Sequence, residues 1–151
     1  MKRIMIDTDK CDGCRNCAVA CMQAHREDEG DMYSLDLSDP CNESRNYILL
    51  NDEGKYVPLF CRHCDEPECV MSCMSGAMSK DEKTGHVLYD EEKCGACFMC
   101  VMSCPYGVLK PDRATNSKII KCDFCKHDEE GPNCVRNCPK QAIHVEEVAT
   151  R

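Results

Sequence analysis

The sequence predicts an α+β protein of two small modules in tandem with an inserted β-hairpin, and three observations carry that prediction. Short apolar runs of strand length alternate with single-turn helical stretches. Cysteine, at 17 of 151 residues, recurs in four similar groups rather than as scattered pairs. Conventional core formers are sparse: with no Trp, three Phe, five Tyr and nine Met, something other than side chains must help to fill the interior. The length suits one domain or two very small ones, able to bury about 70% of the unfolded surface.

Taken in order, Ile4-Met5-Ile6, Val87-Leu88-Tyr89 and Ile143-His144-Val145 read as strands. Single-turn helices follow from Ala18-Val19-Ala20 leading to Cys21, Val70-Met71-Ser72 to Cys73, and Val101-Met102-Ser103 to Cys104. The segment 25–60 has a different character. It opens on the polar run His25 to Asp31, a solvated loop on its plainest reading. It closes on strand-like Tyr47 to Leu50 and Tyr56 to Phe60, joined by the hairpin turn Asn51-Asp52-Glu53-Gly54. Such an insertion covers one face of the protein or meets a partner. The polar stretch Lys110 to Ser117 reads as a connector that carries no motif.

The first cysteine group is Cys11-x2-Cys14-x2-Cys17-x3-Cys21, and the third, Cys94-x2-Cys97-x2-Cys100-x3-Cys104-Pro105, repeats its spacing. The second is Cys61-x2-Cys64-x4-Cys69-x3-Cys73, and the fourth Cys122-x2-Cys125-x8-Cys134-x3-Cys138-Pro139. Pro67-Glu68-Cys69-Val70 is echoed by Pro132-Asn133-Cys134-Val135, so the chain is an internal repeat. Three cysteines within seven residues wrap one face of a cubic iron–sulfur cluster. The fourth thiolate, on the short helix that follows, points away and ligates a neighbouring cluster. Four motifs therefore predict four [4Fe–4S] clusters and two interlocked pairs, with the clusters occupying the cores of ferredoxin-like modules. Zinc is the competing reading, since C-x2-C pairs also build tetrahedral thiolate sites. Zinc sites use two separated pairs, however, and neither they nor a disulfide scaffold calls for the C-x2-C-x2-C-x3-C run twice over.

The formal charge of −8 leaves no basic patch for nucleic acid or anionic lipid. Each oxidised cluster with four thiolates adds about −2, which takes the loaded protein to roughly −16 and favours a positively charged partner surface. The N-terminus shows no long apolar run, leader or membrane span, so the expected location is cytoplasmic, with thiols kept reduced.

With these groups laid out, nearly the whole chain resembles the four-cluster ferredoxin-type subunits of multisubunit redox enzymes. These serve molybdopterin oxidoreductases such as dimethyl sulfoxide reductase, hydrogenases, formate dehydrogenases and nickel carbon monoxide dehydrogenases. Cys61-Arg62-His63-Cys64-Asp65-Glu66-Pro67-Glu68-Cys69, followed by Cys73-Met74-Ser75-Gly76-Ala77-Met78, is most similar to the iron–sulfur proteins associated with carbon monoxide dehydrogenase. The resemblance implies that motif one pairs with motif four and motif two with motif three. It places cluster 1 on Cys11, Cys14, Cys17 and Cys138, and cluster 2 on Cys21, Cys122, Cys125 and Cys134. Cluster 3 falls on Cys61, Cys64, Cys69 and Cys104, and cluster 4 on Cys73, Cys94, Cys97 and Cys100. The implied modules are an outer one, residues 1–24 with 111–151, and an inner one, residues 61–110. Some relatives hold a three-iron centre where Trp replaces a cysteine of the third motif, but Cys97 is present here, so all four are expected as cubanes.

Met22 and Met74 stand where many ferredoxins have Pro, which loosens the turn without removing a ligand. Cys41 belongs to no motif and reads as a spectator thiol. Arg15, Arg62, Lys93, Lys121, Lys126 and Arg136 sit beside ligands, as solubilising charges or as groups that stabilise reduced clusters. His63, between two ligands, is an ordinary loop residue or a donor to sulfur. No Ser/His/Asp constellation, phosphate-binding glycine loop or His-rich site appears, so electron transfer rather than catalysis is expected. The expected role is to relay single electrons between carbon monoxide dehydrogenase and a downstream acceptor such as a hydrogenase, an NAD(P) oxidoreductase or a ferredoxin. The alternatives are a subunit of a molybdopterin oxidoreductase, formate dehydrogenase or hydrogenase, a freely diffusing polyferredoxin, and a structural zinc protein.

Overall fold

A computed structural model describes residues 1–149 and contains four two-stranded antiparallel ribbons and four short α-helices. In chain order these are β1 (Lys2–Ile6), α1 (Asn16–His25), β2 (Tyr47–Leu50), β3 (Tyr56–Leu59), α2 (Glu68–Met71), β4 (Met78–Lys80) and β5 (Val87–Tyr89). Then come α3 (Met99–Ser103), β6 (Lys110–Pro111), β7 (Ile119–Ile120), α4 (Asn133–Arg136) and β8 (Ile143–Glu147). The last two positions of the implied outer module, 150 and 151, lie outside the described residues.

The pairing of β1 with β8 joins the two ends of the chain, with Ile4 opposite Val145 and Ile6 opposite Ile143. Their apolar face lies in a lower core with Cys17, Phe60, Phe124 and Cys134, against which Cys138 packs. The upper core gathers Met78 of β4, Val87 of β5, Val108, Leu109 and Ile119 around Cys61 and Cys100. Helices α1 and α4 pack together beside the lower core, and α2 and α3 beside the upper one. Each core is therefore a thin shell in which cysteines hold the positions that large aliphatic side chains take elsewhere. Several ties bind the halves. Arg3 of β1 pairs with Asp65 at 2.8 Å, and His86 Nε2 donates to the Lys2 carbonyl at 3.0 Å.

The predicted hairpin is present as β2 and β3, with Gly54 left-handed and the Asn51 side chain accepting from the Glu53 and Lys55 amides. Its inner side covers the lower core through Ile48 and Phe60, while Leu49 and Leu50 face outward. One expectation needs correction. The helix before Cys21 is not a single turn: α1 runs ten residues to His25, into the predicted insertion. The reason is local. Met22, Gln23 and Ala24 are good helix formers and no Pro stops them, whereas Pro105 follows Cys104 directly and α3 ends at Ser103. The connector 110–117 is an ordered turn closing a short ribbon. Lys110 and Pro111 pair with Ile120 and Ile119, and the intervening turn is tied by the buried Asp112 carboxylate, which accepts from the Ala114 and Thr115 amides.

Candidate metal centre

The four motifs form tight loops whose backbone handedness repeats. Gly13 and Arg15 flank Cys14 at φ +74° and +63°, and Ala96 and Phe98 flank Cys97 at +50° and +57°. His63 in the second motif, and Phe124 and Cys125 in the fourth, are left-handed too. Non-glycine residues seldom adopt this region. Alternation of right- and left-handed residues makes a nest of amide N–H groups, a concavity suited to anions that includes many iron–sulfur sites.

These loops bring distant cysteines together. Cys11, Cys14 and Cys17 share one cavity with Cys138, more than 120 residues away. Cys61, Cys64 and Cys69 share another with Cys104. Cys134 lies within electrostatic reach of Cys122, Cys21 and Cys125, and Cys100 within reach of Cys73 and Cys94. Cys97 is exposed at its loop, and Cys41 is exposed and lines a cavity that also reaches Cys122. The four groups run in one order. Cys17 also reaches Cys134, Cys122 reaches Cys61, and Cys61 shares the upper core with Cys100.

The chemistry of this donor set fits iron–sulfur clusters. Burial pushes the Cys17 and Cys69 thiols up to about 11, and it raises Cys122 and Cys134 further. Buried thiols clustered this way resist ionisation by themselves and become thiolates when a cationic metal core displaces their protons. A second sign is His63, which is 1% exposed. Its Nδ1 accepts from the Val87 amide at 2.9 Å, so Nε2 carries the proton, and that N–H has no acceptor among the described residues. Burial and then the neighbouring Lys121 and His86 charges hold this imidazole neutral, down to about 2. The loop residue of the sequence reading is thus an anchor between the second motif and β5, with a buried donor left over.

Around Cys21 the fold supplies a polar network that the motifs did not announce. The Arg45 amide donates to Cys21 Sγ at 3.2 Å, and the Arg45 guanidinium pairs with Asp123 at 3.0 Å. His25 Nε2 meets the same carboxylate at 3.0 Å. Burial opposes the charging of His25, but the hydrogen bond to Asp123 and then Cys21 outweigh it and hold the imidazole up at about 10. Burial likewise opposes ionisation of Asp123, which His25 and Arg45 nevertheless keep below the usual carboxylate range. Asn46, buried beside them, donates to the Cys17 carbonyl at 3.2 Å. The signal in the sequence was the polar Ser44-Arg45-Asn46 directly before the apolar β2. Only the fold shows that it lies along α1.

Of the six basic residues beside ligands, Lys93 and Arg136 are occupied by Asp90 and by Asp128 with Glu130. Arg62 lies over the Tyr106 ring at 4.6 Å, and Arg15 and Lys126 are exposed. Lys121 alone is buried.

Gly13 meets the hairpin: a Cβ there would lie 2.5 Å from the Tyr56 ring, on backbone already left-handed. Gly13→Ala is therefore expected to cost about 1–3 kcal/mol and to lower the melting temperature of the loaded protein. Gly76→Ala is the control, since it shares the positive φ and meets nothing within 4 Å.

A family model described as a 4Fe-4S dicluster domain matches residues 53–148. The chain belongs to the 4Fe-4S dicluster family. Its cofactors are [4Fe–4S] clusters, four by the motif count, and it is an electron-transfer protein rather than a catalyst. The match holds motifs two, three and four, and relatives extend it to motif one. Electron transport protein HydN of Escherichia coli is 34% identical across 93% of this chain and 85% of its own. The polyferredoxin-like subunit of the aliphatic sulfonate oxidoreductase of Pyrococcus furiosus is 37% identical across 89% and 70%. Among solved structures, the active-site complex BamBC of benzoyl coenzyme A reductase with 1,5-dienoyl-CoA contains a similar chain. The TM-score is 0.53 at 26% identity, covering 99% of this chain and 78% of that one. Among the described residues, no helix is long and apolar enough to cross a membrane.

Proposed function

We propose that this dicluster-family protein is a four-site electron relay seated on a catalytic redox subunit. The reading is supported by the order in which the cysteines gather: Cys138 with Cys11, Cys14 and Cys17, then Cys134 with Cys21, Cys122 and Cys125, then Cys104 with Cys61, Cys64 and Cys69, then Cys100 with Cys73 and Cys94. Cys11, Cys14, Cys17 and Cys138 would hold cluster 1, and Cys21, Cys122, Cys125 and Cys134 cluster 2. Cys61, Cys64, Cys69 and Cys104 would hold cluster 3, and Cys73, Cys94, Cys97 and Cys100 cluster 4. Each [4Fe–4S] cluster, when bound, takes up and gives back one electron. The chain's part is to supply thiolates, exclude water and direct N–H donors at sulfur, as the Arg45 amide does at Cys21. On this reading residues 1–24 and 111–149 form the outer module and 61–110 the inner, with 25–60 laid over the first motif through Tyr56.

Docking on an enzyme is supported by two apolar surfaces at opposite ends of that order. Met71, Met74 and Met102 stand exposed beside the last group, and Leu49 and Leu50 beside the first. The named relatives supply the class of partner, since two of the three belong by name to oxidoreductases. Carbon monoxide dehydrogenase is the specific partner favoured by the segment from Cys61 to Met78, with the downstream acceptor another redox protein.

Anaerobic iron and acid-labile sulfide analysis tests the relay itself, with about sixteen of each expected per chain. Zinc in their place overturns it. Reduction by carbon monoxide with its purified dehydrogenase, and not by formate or hydrogen with theirs, is the outcome expected for the specific partner. Reduction by another enzyme alone replaces that partner and leaves the relay standing.

A further inference from the structure

Lys121 directly follows β7 and is 5% exposed. Its Nζ donates to two carbonyls at 2.6 Å, that of Val87 in β5 and that of its neighbour Cys122. Val87 lies in the upper core and Cys122 packs against that core, while in the proposed modules Val87 is inner and Cys122 outer. Neither carbonyl carries a charge. Among the described residues no carboxylate oxygen lies within 4.0 Å of the ammonium. A lysine withdrawn from water without a counter-ion is costly, so something anionic must face it. The groups within its reach are Cys122 and Cys69, one from each of the two middle cysteine sets, and the imidazoles of His63 and His86.

We propose that Lys121 is the shared counter-charge of clusters 2 and 3, raising the reduction potential of both and making the module junction the place where an electron rests. This inference relies on the ligand sets proposed above. Reduction adds one negative charge to a cluster. A fixed ammonium between two such sites favours the reduced state of each, and the low polarity of the junction keeps that effect from being screened. Both carbonyl contacts position the ammonium, so the residue acts through its charge without being a ligand. The exposed Lys93, paired with Asp90 beside Cys94, has the same charge but is screened.

The test is a dithionite titration of the anaerobically reconstituted protein, followed by electron paramagnetic resonance, with iron and sulfide counted in every sample. Dithionite supplies the electron, and no proton transfer is required. In Lys121→Met and Lys121→Gln, two of the four couples should become harder to reduce by tenfold or more in equilibrium constant, about 59 mV for one electron. The other two should move far less. Lys121→Arg should restore most of the shift, and Lys93→Met should change none of the four. Full iron with unmoved potentials in the neutral variants overturns the inference and leaves the relay intact. A uniform shift of all four couples also overturns it. Should both neutral variants fail to load, loading restored by arginine supports the counter-charge, because glutamine keeps a donor and only arginine keeps the charge. Loading lost in all three variants overturns it. Iron near zero in the unsubstituted protein overturns the relay and this inference together.

Discussion

Stripping iron from the protein is expected to unfold it, with loss of most far-ultraviolet circular dichroism and of amide proton dispersion. Of the eighteen buried apolar residues among those described, six are cysteines: Cys17, Cys21, Cys61, Cys100, Cys125 and Cys134. Without metal these thiols line cavities. The secondary structure has no independent strength to set against that loss. Helices α2, α3 and α4 have four, five and four residues, and α1 has ten, whereas an isolated helix needs about 12–15 residues to be even marginal. Among the described residues every sheet has two strands, and a lone hairpin is marginal at best. A domain's net stability is about 5–15 kcal/mol, and a single structural metal site can contribute about 10–16 kcal/mol. Four clusters therefore exceed the whole of the net stability. Anaerobic chelation followed by circular dichroism checks this, and iron with sulfide should restore the signal. A chelated protein that keeps its spectrum would mean that the thin cores suffice alone.

The four cysteine loops are legible in sequence because the chemistry of iron–sulfur ligation forces their spacing. Three thiolates within seven residues leave the backbone little freedom, and Ile4-Met5-Ile6, Val87-Leu88-Tyr89 and Ile143-His144-Val145 became strands as their composition indicates. The hairpin too was written locally, in an Asn-Asp-Glu-Gly turn between apolar runs. Harder to read was whatever depends on contact between distant segments. Lys121 and Lys126 look alike beside Cys122 and Cys125, yet the fold buries one under β5 and leaves the other in solvent. His63 looked like a loop residue because its partner is the amide of Val87, 24 residues on. The network of His25, Arg45 and Asp123 joins residues up to 98 apart in sequence. No local pattern specifies such a meeting. The helix past Cys21 is a milder case, in which the missing Pro permits a longer helix rather than the looser turn that the sequence predicts.

Pairs of cysteine substitutions should separate the proposed ligand sets from a plan in which each motif serves its own cluster. Cys138 lines one cavity with Cys11, Cys14 and Cys17, whereas Cys134, four residues earlier, reaches Cys122, Cys21 and Cys125. Cys11→Ala and Cys138→Ala therefore strike the same site, and the double variant should lose little more than the worse single one. Cys134→Ala and Cys138→Ala strike two sites, and their losses should add, as independent positions do. In iron per chain the first pair alters at most about four of sixteen and the second up to about eight. Resonance spectra should show one perturbed centre against two. Motif-by-motif ligation predicts the reverse, with Cys134 and Cys138 non-additive and Cys11 and Cys138 additive. Truncation is the blunter form of this experiment, and the fold says where to cut. Removal from Ile119 onward takes a residue 3% exposed in the upper core, together with the Lys121 bridge to β5. Removal from His127 onward spares both while deleting Cys134, Cys138 and β8. It should leave clusters 3 and 4, about eight irons, whereas the earlier cut should leave fewer. The difference between the two truncations measures how far the inner module depends on β7 and Lys121.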